Sequence, residues 1–208
     1  MLLEVYFIRY ISFLLILIIL FLSVSAVSAS ENQTADVLDV QDSKEVVIKD
    51  TNPEGTFDDL NNSIASASGT LVLDRNYSYN DDFGSTEGIK FYKDIVIDGK
   101  GHTIDGKGKS RIFAVGDYSK SANRVVLKNI NFINANSGSG GAINIDATNA
   151  SIINSTFINC KSSFAGGAVY WEPHGWGTVT LINSTFRYNS AINKGGALAV
   201  NDGKTCLL

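Results

Sequence analysis

The chain contains few of the residues that staple small exported domains together or serve as metal ligands. It has 2 cysteines, 2 histidines, 2 prolines and 1 methionine among 208 residues. Two cysteines do not make a disulfide framework. Cys160 and Cys206 also fall at different positions of the repeat described below, so we do not expect them to pair. His102 and His174 lack cysteine or histidine neighbours at metal-ligand spacing, so the sequence predicts no metal site and no cofactor.

An excess of basic charge is absent as well. The formal net charge is −4 at pH 7. A nucleic-acid-binding protein needs a concentrated basic face, so we expect no nucleic acid partner. Acids are also sparse in the second half of the chain, where Asp146 and Glu172 are the only ones from Ser137 to Val200.

Long apolar runs are missing except at the start of the chain. Residues 11–22 are almost entirely apolar, Arg9 precedes them, and small residues follow up to Ala29. This is the pattern of an export signal, so we interpret residues 1–29 as a signal peptide. The alternative is an uncleaved membrane anchor, because the stretch is long enough to span a bilayer. Both interpretations predict a secreted or cell-surface protein that contacts the membrane only through this segment, if it is retained.

The next part of the chain changes from polar sequence to a helical pattern. Residues 30–55 alternate acids, Ser and Thr with short Val pairs, which indicates a flexible acidic tether. A short helix is predicted from Thr56 to Gly69, with Phe57, Leu60 and Ile64 on one face. We expect this helix to cap a solenoid, because the first coil of a solenoid exposes its core and a strand edge.

Two motifs alternate from Val125 to Val200. The first is Asn followed three residues later by Phe, and it recurs at Asn129–Phe132, Asn154–Phe157 and Asn183–Phe186. The second is Gly-Gly-Ala followed by an aliphatic residue, and it recurs at Gly140–Ile143, Gly166–Val169 and Gly195–Leu198. The phenylalanines are 25 and 29 residues apart, which is in the range of solenoid repeats.

A repeat of this length with short strands fits one turn of a parallel β-helix. Coils stack at about 4.8 Å, so like residues lie on like. We expect the Phe and aliphatic positions to form inward columns and the glycine pairs to permit turns where a Cβ would clash. A further aliphatic column is expected from Val126-Leu127, Ile152-Ile153 and Leu181-Ile182. Earlier strands are predicted at Thr70–Leu73, Ile89–Tyr92, Ile95–Ile97 and Ile112–Val115.

The asparagines of the first motif are expected at tight corners. Asn tolerates the left-handed conformation, and its amide can bond the Asn of the next coil. Asn154 and Asn183 also lie in Asn-x-Ser/Thr glycosylation sequons. We expect both to point inward in the corner ladder and therefore to carry no glycan.

The second interval between repeats is longer, and the extra residues belong to a segment with both tryptophans. Residues 170–177 read Tyr-Trp-Glu-Pro-His-Gly-Trp-Gly. Insertions in solenoids map to surface loops, where exposed aromatics are candidate contacts for sugars or proteins. We name Trp171, His174 and Trp176 as candidate ligand-binding residues. The alternative is that the tryptophans fold back over the coil as local packing.

The alternation of Gly-Gly-Ala-aliphatic with Phe-x-x-Asn resembles the repeats of the chlamydial polymorphic membrane proteins. Phe186–Asn189 matches the second element, whereas Asn134 and Asn159 stand one place early. Residues 56–203 are similar to the adhesin-like surface proteins of methanogenic archaea. This resemblance implies a right-handed parallel β-helix of the pectin-lyase-like type at the cell surface. Members of that family are usually longer, so we expect the β-helix of residues 56–208 to be truncated at its C-terminus.

We predict an exported adhesin-like protein that displays loops to bind host, glycan or neighbouring-cell components. Catalysis is not expected. Lyases of this fold need a strong base and bound cations, and hydrolases need paired carboxylates, whereas no repeated column is acidic. A polysaccharide-active, pectate-lyase-like enzyme and a purely structural wall component are the alternatives.

Overall fold

The computed structural model describes residues 53–119, 123–174 and 177–201. The predicted signal peptide and most of the predicted tether lie outside the described residues. Trp176 and Cys206 lie outside them as well.

One helix, α1 (Phe57–Ser66), covers the first coil. Thr56 caps it, because the Asp59 amide donates to Thr56 Oγ1 at 3.2 Å and the Asp59 carboxylate accepts from the Thr56 amide at 2.9 Å. The apolar face predicted for the helix is confirmed. Its members are buried against the core: Phe57, Leu60 and Ile64.

The helix ends before the predicted Gly69, because a lysine from the second coil closes its last turn. Lys93 Nζ donates to the carbonyl oxygens of Ile64 at 2.8 Å and Ala67 at 2.6 Å. These carbonyls have no partner inside the helix, and a positive charge there also complements the helix dipole. Ala67 is extended, and the next strand starts at Gly69.

The strands, numbered β1 to β19 along the chain, form four parallel sheets. Sheet A contains β1 (Gly55–Thr56), β3 (Tyr77–Ser78), β6 (Thr103–Asp105), β9 (Asn131–Ile133), β13 (Thr156–Ile158) and β17 (Thr185–Arg187). Sheet B contains β2 (Gly69–Val72), β5 (Ile95–Asp98), β8 (Arg124–Lys128), β12 (Asn149–Ile153) and β16 (Thr178–Ile182). Sheet C contains β4 (Ile89–Phe91), β7 (Phe113–Val115), β11 (Ile143–Asp146), β15 (Val169–Glu172) and β19 (Leu198–Val200). Sheet D contains β10 (Asn136–Ser139), β14 (Lys161–Ala165) and β18 (Ser190–Ala191).

Each coil passes through sheet B, then sheet A, then sheet C, and from the third coil onward sheet D lies between A and C. Five coils are described, with one strand of each in sheets B and C. All pairings are parallel and join equivalent strands of successive coils. The predicted all-β parallel β-helix with a capping helix is therefore confirmed. Its right-handed sense stays a prediction.

The inward columns are the predicted ones. Phe132, Phe157 and Phe186 are in register, and the ring centroids of successive pairs lie 4.7 and 4.8 Å apart with nearly parallel planes. That spacing equals the separation of parallel strands, so the rings stack as the backbone does. The predicted column of Ile143, Val169 and Leu198 is confirmed as well. Ile89 and Phe113 of the first two coils extend it.

One expected column is offset by a residue in its first member. Leu127, Ile152 and Leu181 are in register and point inward, but Val126 pairs with Ser151 on the outer face of sheet B. The prediction that Val126-Leu127 is equivalent to Ile152-Ile153 is therefore wrong. The residue that matches Ile153 is Lys128.

The asparagine corners adopt the predicted left-handed conformation, with φ of 56°, 48° and 46° at Asn129, Asn154 and Asn183. Asn154 Nδ2 donates to Asn129 Oδ1 at 2.8 Å, and Asn183 Nδ2 donates to Asn154 Oδ1 at 3.1 Å. The expectation that these side chains point inward is wrong, because Asn154 and Asn183 are exposed. Their amide nitrogens are engaged in the ladder instead, and a glycan on Nδ2 would replace one of the two hydrogens of that donor.

A second ladder explains the asparagines that stand one place early in the repeat. Asn134 and Asn159 occupy another left-handed corner, with Asn159 Nδ2 donating to Asn134 Oδ1 at 2.8 Å. In the fifth coil Tyr188 takes this corner, with φ of 56°. Asn189 has a different role, because its side chain accepts from the Cys160 amide and donates to the Phe157 carbonyl oxygen.

The glycine pairs serve the predicted purpose. Gly140 has φ of 61°, and a Cβ there would lie 2.2 Å from the carbonyl oxygen of Ile143. A Cβ on Gly141 would lie 2.2 Å from the carbonyl oxygen of Gly167 in the next coil. Side chains are therefore excluded both by the turn and by the close approach of the coils.

Candidate functional site

The outer face of sheet C carries a different side chain in nearly every coil. One outward column runs through Lys90, Ala114, Asn144, Tyr170 and Ala199. Beside it, Asp146 and Glu172 are in register, and Asn201 Nδ2 donates to Glu172 Oε1 at 2.9 Å. Packing and turn geometry explain the regular columns of the interior. The side chains on this outer face do not follow such a regular pattern.

Asp146 and Glu172 are the only two acids of the region from Ser137 to Val200, and the fold places them next to each other. They end β11 and β15, which are neighbouring strands. We did not predict from the sequence that these two residues are neighbours. The signal was present, because each lies three residues after an aliphatic residue of the same column, Ile143 or Val169.

The segment after β15 brings His174 next to this pair. It contains five residues, 173–177, where the equivalent connection after β11 has only two, 147 and 148. His174 adopts φ of 43°, and its Nε2 lies 3.3 Å from Asp146 Oδ1 and 3.8 Å from Glu172 Oε2. The Tyr118 ring lies against the imidazole at a centroid distance of 5.3 Å. We call Asp146, Glu172 and His174 the acid–histidine cluster.

Burial raises the pKa of the Asp146 carboxyl above its ordinary value. His174 acts against this rise, while the Glu172 carboxylate adds to it. Asp146 Oδ1 is buried and accepts no hydrogen bond with favourable geometry from the described residues, although His174 Nε2 is close to it. The folded chain therefore holds two adjacent carboxylates in an arrangement that disfavours charge on Asp146.

A groove begins at Asp146 and runs along the outer face toward the first coil. Its volume is about 260 Å³. The lining residues are Glu87, Lys90, Tyr92, Arg111, Ala114, Val115, Gly116, Asn144 and Asp146. The small Ala114 and Gly116 of the second coil form its floor, while Tyr92 and Asn144 stand in the coils on either side. We call this depression the sheet-C groove.

Charge in the groove is unevenly distributed. The Arg111 guanidinium is bound by the Glu87 carboxylate at 2.7 Å, and it also donates to the hydroxyl of Ser137 and the carbonyl of Ser139. This arginine is therefore committed to structure. Lys90 is exposed at the far end, and Asp146 lies at the near end.

The structure separates Trp171 from His174, two of the three predicted ligand-binding residues. Trp171 lies in β15, and its side chain is only 1% exposed, in the inward column with Ile145 and Val200. The expectation that Trp171 lies in a surface loop is wrong, because β15 continues to Glu172. His174 is on the surface beside the groove, and Trp176 lies outside the described residues. The ligand-binding role stays a prediction, and burial leaves Trp171 only a supporting part in it.

Several acids of the first coils lie beside bases. Asp81 binds Lys109 at 2.9 Å, and Asp98 lies 3.3 Å from Lys128. Asp98 also accepts from Asn129 Nδ2 at 2.9 Å and so anchors the first asparagine ladder. Within the described ranges, no group of three or more His, Cys, Asp or Glu side chains is placed to hold a metal ion.

Comparison of the chain with protein-family models, with curated proteins and with solved structures gives no match. The geometry itself defines the class, which is a parallel β-solenoid with a helical cap. In the part of the chain that the structure describes, no helix is long and apolar enough to cross a membrane.

Proposed function

We propose that the chain is the ligand-binding part of an exported, surface-displayed β-helix protein that holds glycans of host or neighbouring cells on sheet C, without catalysis. The observation that carries this proposal is the contrast between the interior and one outer face. The interior columns carry an aliphatic or aromatic side chain in every coil, whereas the outer face of sheet C combines a groove, an aromatic ring and a carboxylate pair.

The chemistry of the groove fits a sugar ring. Tyr92 is 47% exposed and offers an aromatic surface with a polar end. Asn144 and Asp146 supply hydrogen-bonding groups beside it. At about 260 Å³ the groove is smaller than the roughly 300–1,000 Å³ of pockets for drug-sized ligands. It would therefore hold one ring and leave the rest of an oligosaccharide to the neighbouring surface, including the segment after β15.

Export rests on the pattern of residues 1–29, which we propose to be a cleaved signal peptide. Mass spectrometry of the N-terminus of the secreted chain tests this, with Ser30 as the expected first residue. A chain that retains residues 1–29 would instead be anchored in the membrane.

Filling the groove tests the binding site. We expect the full-length chain to be retained on an array of immobilised oligosaccharides and the Ala114→Trp variant to lose that retention, because an indole would occupy the floor. The matched control is Ser151→Trp, which adds the same side chain to the outer face of sheet B. Retention that both variants keep would place the ligand elsewhere. A wild-type chain that no glycan retains would favour a structural wall component.

The adjacency of Asp146 and Glu172 favours polysaccharide cleavage as a second candidate function. Glycoside hydrolases use two carboxyl groups, one of them with a raised pKa, and the pKa of Asp146 is raised. We still expect no new reducing ends and no unsaturated products after incubation with neutral and acidic polysaccharides. Reducing ends that disappear in the Asp146→Asn variant would establish an enzyme.

A further inference from the structure

We propose that the position of the His174 imidazole, between Asp146 and Glu172, is the seat of a ligand ammonium group. The sheet-C face would then select oligosaccharides of amino sugars over carboxylated ones. This inference rests on the proposed glycan-binding function and names the class of ligand.

The seat is defined by two carboxylates that face one nitrogen. His174 Nε2 lies 3.3 Å from Asp146 Oδ1 and 3.8 Å from Glu172 Oε2. An ammonium group carries three donors and no acceptor, so it can serve both carboxylates from one point. A charge-assisted hydrogen bond of this kind is about twice as strong as a neutral one.

The seat adjoins the sheet-C groove, which has a volume of about 260 Å³. Asp146 belongs both to the acid–histidine cluster and to the wall of the sheet-C groove. Asn144 Oδ1, on the same wall, is buried and accepts no hydrogen bond from the described residues. A ring in the groove would thus place a substituent at the carboxylate pair and a hydroxyl donor near Asn144, provided that these side chains rotate slightly toward it.

The surrounding charges disfavour a carboxylated sugar. Asp117 adds a further negative charge close to Asp146. Of the two bases that line the groove, Arg111 is held by Glu87, and Lys90 lies two coils before Asn144 in the outward column. A uronate at the near end would meet like charges that cost free energy, and His174, which already faces the two carboxylates, is the one base described beside it.

The present occupant of the seat can be displaced. The His174 side chain is 39% exposed and is carried by the inserted segment 173–177 rather than by a strand. Its left-handed φ of 43° is unfavourable for a residue with a side chain. A ligand ammonium group would replace the imidazole without moving the sheet.

Three hexasaccharides test the selection at pH 6: glucosamine, N-acetylglucosamine and galacturonate, which are cationic, neutral and anionic. We expect the full-length chain to bind the glucosamine hexamer tightest and the galacturonate hexamer weakest in calorimetric titration. Asp146→Asn and Glu172→Gln should each weaken binding of the glucosamine hexamer about 10-fold or more. They should change binding of the N-acetylglucosamine hexamer much less.

Two further variants separate the seat from general effects. His174→Gly removes the occupant and suits the left-handed backbone, so it should bind the glucosamine hexamer more tightly than the wild type. Asp82→Asn removes an exposed carboxylate outside the groove and should change nothing. Urea unfolding checks that each variant is folded.

The outcomes distinguish the two proposals. Galacturonate bound as tightly as glucosamine, or glucosamine binding unchanged in Asp146→Asn and Glu172→Gln, would overturn the ammonium seat and leave glycan binding in place. Failure of all three hexamers to bind, with retention on the oligosaccharide array preserved, would overturn the ammonium seat alone, and loss of both would overturn both proposals. Preference for glucosamine that depends on both carboxylates would support both.

Discussion

At the scale of single residues, Asp146 lies in an environment that disfavours the ionised form of its carboxyl group. Its side chain is 25% exposed and adjoins Glu172, and burial raises its pKa. Asp98 shows the opposite balance. Burial would raise its pKa too, but hydrogen bonds from Asn129 and the Lys100 amide, together with Lys128 and the charge of Lys100, lower it to about 2. The ionised Asp98 carboxylate therefore stabilises the fold, whereas ionisation of Asp146 lowers its stability.

We predict that Asp146→Asn makes the chain more stable at pH 7. The pKa of this carboxyl is higher in the folded chain than in the unfolded chain. Its favourable contribution is thus complete below the ordinary value of 3.8 and is lost as the pH rises through the folded pKa. The gain over the wild type should therefore be largest at neutral pH and vanish near pH 3.

Urea unfolding of both chains across this pH range measures the effect, with Asp82→Asn as the control for loss of one exposed charge. Destabilisation by Asp146→Asn at every pH would show instead that the carboxylate holds the fold together. Adjacent carboxylates kept despite an electrostatic cost are the pattern expected of a binding or catalytic position.

At the scale of elements, the capping helix joins the coils through its buried face and through both of its ends. Its N-terminus is closed by Thr56 and Asp59, and its C-terminus by Lys93 from the second coil. Leu60 is completely buried in the middle of its apolar face. The helix is therefore part of the core and not a separate appendage.

Leu60→Ala should lower the free energy of unfolding by about 2–5 kcal/mol, because it removes buried methyl groups and leaves a cavity. Asn62→Ala, at an exposed position of the same helix, should change it by no more than about 0.5 kcal/mol. Urea unfolding followed by circular dichroism gives both values. Equal effects of the two substitutions would mean that the helix does not pack on the first coil in solution.

The elements also show why the sequence predicts some features and misses others. Repetition predicts the Phe and asparagine columns, because stacked coils place like residues together. The repeat also indicates that Trp171 points inward, because Trp171 is in register with Ile145. The neighbouring Pro173 obscured that position, because local turn signals suggested a loop there. The place of His174 is not predicted by the repeat, since His174 belongs to the extra residues after β15 that have no counterpart after β11.

At the scale of the whole molecule, each coil is stabilised by its neighbours along the stack. The amide of Asn129 donates to Ile153 in the next coil, and that of Asn154 donates to Ile182. Among the described residues, the equivalent amide of Asn183 has no acceptor. Within the described ranges the fifth coil therefore donates only toward the fourth, and its Phe186 is partly exposed where Phe157 is completely buried.

Hydrogen exchange measured by mass spectrometry should reveal this gradient. Stability in a solenoid is approximately a sum over coils and the interfaces between them, so residues 149–165 of the fourth coil should exchange more slowly than residues 178–191 of the fifth. Phe157→Ala removes the central ring of the stack and should cost about 3–5 kcal/mol. It should accelerate exchange in the fifth coil most, because that coil has only one described neighbour. Uniform protection of all coils, lost together in the variant, would instead show that the stack unfolds as a single cooperative unit, and the sheet-C face would then be as rigid as the core beneath it.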